Sequence, residues 1–276
     1  MFKAQPLICR SALFVPANRP ERIPKALAAG ADRVIVDLED AVAPEAKDTA
    51  RDALGERLDA GDGEGLWVRI NAPDTLAFET DLAFCREHPA LGGIVVAKAE
   101  TEASLERVAA LGLPIVALIE SAAGLAALPS LSRVEGVERL SFGALDLSLD
   151  LGGEPGSEGG EWLLDQVRYS IVLHSRLAGL APPLETVLPD FRDLGRVERV
   201  ARRAAEMGFG GMLCIHPQQV DAIHRGMAPS EAQCDWARRV LAATEQRADA
   251  TQVDGEMIDA PVIERARRLL ARLVER

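Results

Sequence analysis

The feature that most constrains this chain is a rhythm. Short apolar runs of three to five residues, rich in Val, Ile and Leu, recur between longer segments with helical signals. The runs are Ala12–Val15, Arg33–Asp37, Leu66–Ile70, Gly93–Val96, Ile115–Ile119, Leu140–Phe142, Thr186–Leu188 and Met212–Ile215. Short, nearly continuous apolar runs are how strands buried on both faces of a parallel sheet read. The seventh is the faintest and is placed because the count would otherwise fall one short. Between the runs lie Arg22–Ala29 (after Pro20, ending at Gly30), Lys47–Ala60, Thr75–Glu87 with Asp74 as its expected N-cap, Thr101–Ala110, Ala122–Leu128, Glu161–Ala178, Arg192–Met207 and Pro217–His224. Glycine after a helix and proline in its first turn are the expected punctuation. Repeated strand-then-helix units dictate right-handed crossovers and a parallel sheet. Eight of them predict an α/β fold of the closed (β/α)8 TIM-barrel type, which occupies about 250 residues as one domain. The chain has 276.

Two stretches fall outside the rhythm. Gly152–Gly160, GGEPGSEGG, reads as a flexible loop. Residues 231–276 read as a helical extension after a barrel domain of residues 1–230. Its two amphipathic helices, Glu231–Ala248 and Val262–Glu275, are joined by Thr251–Pro261.

Composition narrows the function. Hydrophobic residues at 48% and charged residues at 27% support a full core. A net charge of −12 repels nucleic acid and anionic lipid, so neither is an expected partner, and an anionic ligand needs a local basic patch or a metal ion. No run of about 20 apolar residues exists, and Met1–Arg10 lacks the apolar core of a secretory signal. The four cysteines, Cys9, Cys85, Cys214 and Cys234, have no metal-site or disulfide-framework spacing. Reduced thiols and a cytoplasmic location are the expectation. There is no GxGxxG after the first strand, no GxxxxGK[ST] and no GxSxG.

A barrel of this kind carries its active site at the C-terminal ends of its strands. There the chain places Asp37-Leu38-Glu39-Asp40, Arg69-Ile70-Asn71, Lys98, Glu120, Gly143-Ala144-Leu145-Asp146 and His216-Pro217-Gln218. Glu120 and Asp146, just past adjacent strands, are the pair to hold a metal, since Mg2+ binds through one or two carboxylates with water and substrate completing its shell. The alternative is that each caps the helix after it. Arg69 is a natural carboxylate clamp. Its alternative, compatible with the first, is an ion pair with Glu39 or Asp37. The Gly143-Ala144 backbone offers N–H groups to an anion close to Asp146, and Gly143 permits close approach. His216 reads equally as acid, base or hydrogen-bond post. No Cys/His pairing supports a thiol nucleophile.

At these residues the chain resembles the citrate lyase beta-subunit-like proteins of the aldolase/citrate lyase superfamily, close to malyl-CoA and citramalyl-CoA lyases. The resemblance rests on RSALFVPANRPERIPK from Arg10, ADRVIVDLEDAV from Ala31, VRIN from Val68, IESAAG from Ile119, SFGALD from Ser141, GFGGMLCIHPQ from Gly208 and DGEMIDAP from Asp254, in order and spanning nearly the whole chain. It implies a (β/α)8 barrel assembled as a homotrimer or a dimer of trimers. It further implies Mg2+ held by Glu120 and Asp146, with Arg69 as the substrate-binding arginine. Phe14, Arg19 and Lys25 fall at coenzyme A contacts, and Ile215 and His216 at a further substrate or coenzyme contact. Asp259 resembles the acid that a C-terminal lid places over a neighbouring subunit's site.

The implied reaction is cleavage, or its reverse, of the C–C bond in a 3-hydroxyacyl-CoA such as malyl-, citramalyl- or citryl-CoA, giving a 2-oxo acid and an acyl-CoA. Other readings are a metal-dependent aldolase on free 2-oxo acids and a non-autonomous beta subunit of a citrate lyase complex. The chain departs from the family pattern in two places: Phe14-Val15-Pro16-Ala17 stands for the common FVPG, and Glu185-Thr186 for an Asp-Gly pair near strand seven.

Overall fold

The computed structural model describes residues 8–61, 63, 65–246 and 251–273. Eight parallel strands close into a barrel in sequential order: β1 (Ser11–Pro16), β2 (Arg33–Asp37), β3 (Trp67–Ile70), β4 (Gly93–Val96), β5 (Ile115–Ile119), β6 (Val137–Phe142), β7 (Leu184–Glu185) and β8 (Gly211–Cys214). The ring is sealed by β1 against β8, with Ser11 opposite Met212 and Leu13 opposite Cys214. Around it run α1 (Ile23–Leu27), α2 (Lys47–Asp59), α3 (Leu76–Glu87), α4 (Glu102–Ala109), α5 (Ala122–Ala126), α6 (Leu128–Leu131), α7 (Ala144–Asp150), α8 (Glu158–Leu177), α9 (Leu194–Met207) and α10 (Gln219–Met227).

Strand parity sorts the side chains. Ala12, Ile35, Trp67, Val95, Val116, Leu118, Leu184 and Leu213 fill the barrel interior. Leu13, Val34, Val36, Val68, Ile94, Val96, Ala117, Ile119, Leu140, Phe142, Met212 and Cys214 face the helices in the larger outer core. Each fully buried Leu, Ile or Val contributes about 1.5–3 kcal/mol. The N-terminal end of the barrel is plugged by Arg33, stacked on Trp67 at 4.1 Å, and by Arg139, whose Nη1 donates to Pro182 O.

The expected strands are found with small shifts, except the seventh. It lies at Leu184–Glu185, not Thr186–Leu188, pairing Ser141 through Leu184 and Met212 through Glu185. The β-branched Thr186 and Val187 look strand-like, but the chain leaves the ladder there. Thr186 Oγ1 accepts the Ala144 N–H, and Leu188 O accepts from Gln219 Nε2.

Other corrections are local. Thr75, not Asp74, is the N-cap residue of α3, and neither side chain caps it. The helix expected over Ala122–Leu128 splits into α5 and α6, with Pro129 inside the first turn of α6. The last barrel helix begins at Gln219 rather than Pro217. Helix α7 was not anticipated. The glycine-rich stretch is loop only as far as Ser157, whose Oγ accepts the Gly160 N–H and starts α8 early. Gly208, at φ 104, ends α9 in the left-handed conformation that only glycine adopts freely.

The extension holds α11 (Glu231–Gln246), a two-stranded hairpin of β9 (Thr251–Val253) and β10 (Glu256–Ile258), and α12 (Ala260–Ala271). The final residues expected in its two helices lie outside the described residues. Its small core gathers Ala237, Val240, Ile258, Ala266 and Leu269. It follows α10 directly, and Arg272 Nη2 donates to Met227 O at the end of α10. In a barrel of this topology the C-terminal ends of the helices lie opposite the C-terminal rim of the strands. The extension therefore packs at the far end from its own chain's rim.

One buried network ties the fold to that rim. Asp81, fully buried on α3, accepts from the Asn71 N–H (2.9 Å), Asn71 Nδ2 (2.7 Å) and Arg51 Nη1 (2.8 Å). Asn71 Oδ1 in turn accepts from Lys47 Nζ at 2.6 Å, which also donates to Leu38 O and Glu39 O. Asp81→Ala strands a buried guanidinium and two N–H donors at once. It is expected to cost about 3–5 kcal/mol, read as a lower urea midpoint at unchanged slope.

Candidate active site at the C-terminal rim of the barrel

Alternation carries past the strand ends, so Asp37, Arg69 and Glu120 continue the inward rows of Ile35, Trp67 and Leu118. Arg69 is at the centre. Its Nε and Nη2 donate to Asp37 Oδ1 (2.7 Å) and Oδ2 (2.6 Å), and its Nη1 pairs with Glu39 Oε2 at 3.0 Å. The ion-pair reading of Arg69 is the one the structure shows, with both carboxylates engaged. One edge of the guanidinium is fixed by Asp37, and one N–H on each terminal nitrogen remains for a ligand. Burial opposes its charge, but the Asp37 hydrogen bonds and the charges of Asp37, Glu39 and Glu120 raise its pKa well above the ordinary value. The Phe14 ring lies below it, 4.9 Å from the guanidinium carbon.

In the sequence Lys98 reads only as a strand-end charge, and the structure gives it more to do. Its backbone sits at φ 46, a left-handed conformation that costs a side-chain-bearing residue about 1–2 kcal/mol. That turn aims its N–H at Glu120 Oε2 (3.0 Å) while its Nζ reaches Glu39 Oε1 (2.9 Å). Glu39 thus bridges Arg69 and Lys98, and Lys98 links that bridge to Glu120.

Neither metal candidate is a helix cap. Ser121 Oγ caps α5 by accepting the Gly124 N–H, and Asp150 Oδ2 accepts the Ala122 N–H. Asp146 is the third residue of α7, and its carboxylate has no hydrogen bond or ion pair among the described residues. Glu120 is buried, and its Oε1 is likewise without a protein donor. Gly143 explains how the carboxylate fits: a Cβ there would collide with Glu120 Oε1 and lie 2.8 Å from its Cγ. Burial, then the nearby charge of Glu39, push the Glu120 pKa up to about 7 against the pull of Arg69, and Asp146 adds to the rise. Two adjacent carboxylates with free oxygens, one of them desolvated, suit a hard divalent cation that keeps water or ligand in its other positions. Among the described residues no cluster of three or more His, Cys, Asp or Glu side chains could hold a metal, so no closed protein cage competes with this pair.

The Gly143-Ala144 edge differs from expectation. The Gly143 N–H goes to Ile119 O at 3.0 Å and the Ala144 N–H to Thr186 Oγ1 at 3.1 Å. Both donors are used within the fold, so what Gly143 contributes is space beside Glu120.

His216 follows β8. Its Nδ1 accepts the Gln218 N–H at 3.2 Å, and its ring stacks on Phe191 at 4.5 Å and 15°. Phe191 was not foreseen, since nothing in the sequence pairs that loop with His216. The Ile215 and His216 N–H groups both donate to Gln219 Oε1. Arg19 and Lys25 stand exposed after β1, Arg19 paired with Glu21 at 2.7 Å. Asp259 is not brought to this rim by its own chain. It lies in the extension at the opposite end, capping α12 by accepting the Val262 N–H at 3.2 Å. All four thiols are buried and free, with Cys85 and Cys214 pushed up to about 12 by burial, which removes them as nucleophiles.

The fold and rim define a TIM-barrel protein whose candidate site combines an arginine fixed by Asp37 with two carboxylates whose oxygens suit a cation. Within that class, residues 10–217 match the model of the HpcH/HpaI aldolase/citrate lyase family, and the chain belongs to it. A citrate lyase subunit beta-like protein of Deinococcus radiodurans is 36% identical, over 97% of this chain and 98% of that one. A (3S)-malyl-CoA thioesterase of Cereibacter sphaeroides is 31% identical, over 95% and 94%. The crystal structure of CitE from Mycobacterium tuberculosis in complex with magnesium, acetoacetate and coenzyme A superposes with a TM-score of 0.87 at 34% identity, covering 97% of this chain and 99% of that one.

A raised carboxyl pKa has a definite sign. Metal-free, Glu120 holds its proton in the fold across the interval from its ordinary value of 4.5 to about 7, where an unfolded chain has released it. Its contribution to stability is complete below that interval and declines as pH rises through it. Carboxyl 13C NMR of the metal-free protein is expected to show this titration near pH 7. Glu39→Gln removes a negative neighbour and is expected to move the midpoint down.

Proposed function

We propose that this protein is a Mg2+-dependent carbon–carbon lyase that cleaves, or forms, a 3-hydroxyacyl-CoA such as malyl-, citramalyl- or citryl-CoA, yielding a 2-oxo acid and an acyl-CoA. The observation that carries the reading is the pair Glu120 and Asp146, oxygens free, beside an arginine already anchored by Asp37. Magnesium in the M. tuberculosis CitE complex with acetoacetate and coenzyme A supports the choice of ion and ligand class.

Glu120 and Asp146 would hold the ion, which supplies Lewis-acid polarisation of the oxygen that becomes the ketone or aldehyde of the oxo acid. Arg69 presents its remaining N–H donors to the substrate carboxylate and to charge that shifts as the bond breaks. Because Asp37 and Glu39 hold it from behind, its position requires no reorganisation. In cleavage, the hydroxyl proton passes to solvent water and the C–C bond pair passes to the thioester α-carbon as an enolate. That carbon then takes a proton. Asp259 is the proposed donor, and its location at the far end of its own barrel means that it serves the rim of another copy, in a homotrimer or a dimer of trimers. The barrel, 1–230, is then the catalytic domain and 231–276 the lid-bearing extension.

Exposed Arg19 and Lys25 supply positive charge for the phosphates of coenzyme A. Phe14, Ile215 and His216 line the path toward the acyl group, and Gly143 and Ala144 border the substrate at Asp146. A reduced, cytoplasmic setting accords with the four free thiols.

The deciding experiment is a panel of malyl-, citramalyl-, methylmalyl- and citryl-CoA with and without Mg2+. The expected result is 2-oxo acid release that depends on the ion. Turnover of free 2-oxo acids alone would instead identify a metal-dependent aldolase. Activity only on a carrier-bound thioester would identify a citrate lyase beta subunit. Free coenzyme A would identify thioester hydrolysis, a reading favoured by the thioesterase relative. Glu120→Ala and Asp146→Ala are each expected to abolish Mg2+-dependent turnover, a loss of at least about 10²–10³-fold, with the circular dichroism spectrum of the folded protein retained. Asp259→Ala is expected to lower kcat while leaving the Kd for a 2-oxo acid nearly unchanged.

A further inference from the structure

At the rim, the chain leaving β4 falls out of step with β5 by one residue. The Ile94 N–H donates to Pro114 O, and the same spacing carried up the parallel ladder would give the Lys98 N–H to Leu118 O. Ala99 takes that acceptor instead, at 3.0 Å. Lys98 is therefore the extra residue of a bulge, and its N–H is released from the ladder. Glu120 Oε2 accepts it at 3.0 Å. The backbone that aims it has φ 46. Among the described residues the other non-glycine residue with positive φ is Asp254, at the Asp-Gly tip of the β9–β10 hairpin, where the turn itself asks for that conformation. No hairpin asks for it at Lys98. Strain of this kind persists where the surroundings impose it, and it gathers at functional sites.

We propose that Lys98 is a positioning residue that leaves Glu120 one oxygen for the cation and so makes the rim select Mg2+ over the larger Ca2+. The inference rests on the reading of Glu120 and Asp146 as cation ligands. The two oxygens of Glu120 are unequally placed. Oε2 is tied to the Lys98 main chain. Oε1 has no protein donor among the described residues, and it has room beside it because residue 143 is glycine. Mg2+ needs one oxygen from each of one or two carboxylates, with water and substrate filling its small octahedral shell. Ca2+ takes about six to eight oxygens and commonly draws two from one carboxylate. For Glu120 to offer both, Oε2 must give up its donor, and the strained turn at Lys98 loses the bond that offsets it. That penalty falls on the larger ion alone. The role belongs to the main chain of Lys98, since its Nζ goes to Glu39 Oε1 at 2.9 Å.

The test is calorimetric titration of the full-length, metal-free protein with MgCl2 and, separately, CaCl2, without substrate, reading the ratio of the two Kd values. Glycine adopts the left-handed conformation freely and keeps the N–H, whereas β-branched valine resists it. Lys98→Gly, which loses Nζ but keeps the main-chain donor, is expected to hold the ratio within about threefold of the original. Lys98→Val is expected to shift it toward Ca2+ by at least about tenfold. In the original chain, slow exchange of the Lys98 amide proton, followed by 1H–15N NMR, should persist with Mg2+ bound and be lost with Ca2+ bound. That measurement decides the matter even if Lys98→Val folds poorly. A ratio unmoved by Lys98→Val, a ratio moved equally by Lys98→Gly, or an amide equally protected with both ions would overturn the proposal. Glu120→Ala tells two failures apart. If it abolishes Mg2+ binding while the Lys98 results go against expectation, the ligand reading stands and only the role of Lys98 falls. If Mg2+ does not bind the original chain, or binds as before without Glu120, both fall.

Discussion

The rim of this barrel depends on one buried guanidinium. Arg69 is anchored along one edge by Asp37 and held from another side by Glu39. Glu39 is itself fixed by Lys98 Nζ, and Lys98 fixes Glu120 through its backbone N–H. Five side or main chains from β2, β3 and the loops after β2, β4 and β5 thus form one continuous electrostatic chain. Removing a carboxylate from its middle would leave a desolvated positive charge, and removing the arginine would leave desolvated carboxylates, so its members stand or fall together. The left-handed turn at Lys98 is intelligible only in this setting, since nothing in the strand it follows requires it.

The same chain gives an acidic protein a local balance of charge at its rim. Around the rim Asp37 and Glu39 are matched by Arg69 and Lys98, whereas among the described residues Glu120 and Asp146 have no ion-pair partner of their own. The imbalance is local and desolvated, which is why it appears in the raised pKa of Glu120 rather than only in the overall charge of −12. A cation placed there removes the cost of ionising Glu120. It would also offset the negative charge that Glu120 and Asp146 add beside Arg69.

Much of the barrel was legible in the sequence because parallel strands buried on both faces are written as bare apolar runs between glycines, prolines and polar helices. Arg69 near the end of one run, and Glu120 and Asp146 beyond two others, could be named as candidates for the same reason. What escaped depended on register between distant segments. Leu184–Glu185 is too short, with two prolines before it, to stand out against Thr186–Leu188, and only the ladder to Ser141 and Met212 identifies it. The dual role of Lys98, the stacking of Phe191 on His216 and the space kept by Gly143 beside Glu120 are contacts across the barrel. No local pattern encodes them. Asp259 could be read as a residue but not as a location, because its helix packs at the end of the barrel remote from its own rim.

Strand parity gives the departure at strand seven a physical meaning. Glu185 and Thr186 are adjacent in sequence, yet they point to opposite sides of the barrel wall. Glu185 faces outward, fully paired with Arg168 on α8, Nη2 to Oε1 at 3.0 Å, and that guanidinium lies 5.6 Å from the Phe142 ring. Thr186 faces the rim and holds the start of α7, hence the helix that carries Asp146. One of the two substitutions therefore belongs to the scaffold and the other to the site. Burial and the Arg168 ion pair make Glu185 a matter of stability. Thr186 bears on the candidate site instead, because its hydroxyl accepts the Ala144 N–H at the start of the helix that carries Asp146, a bond that a glycine could not make.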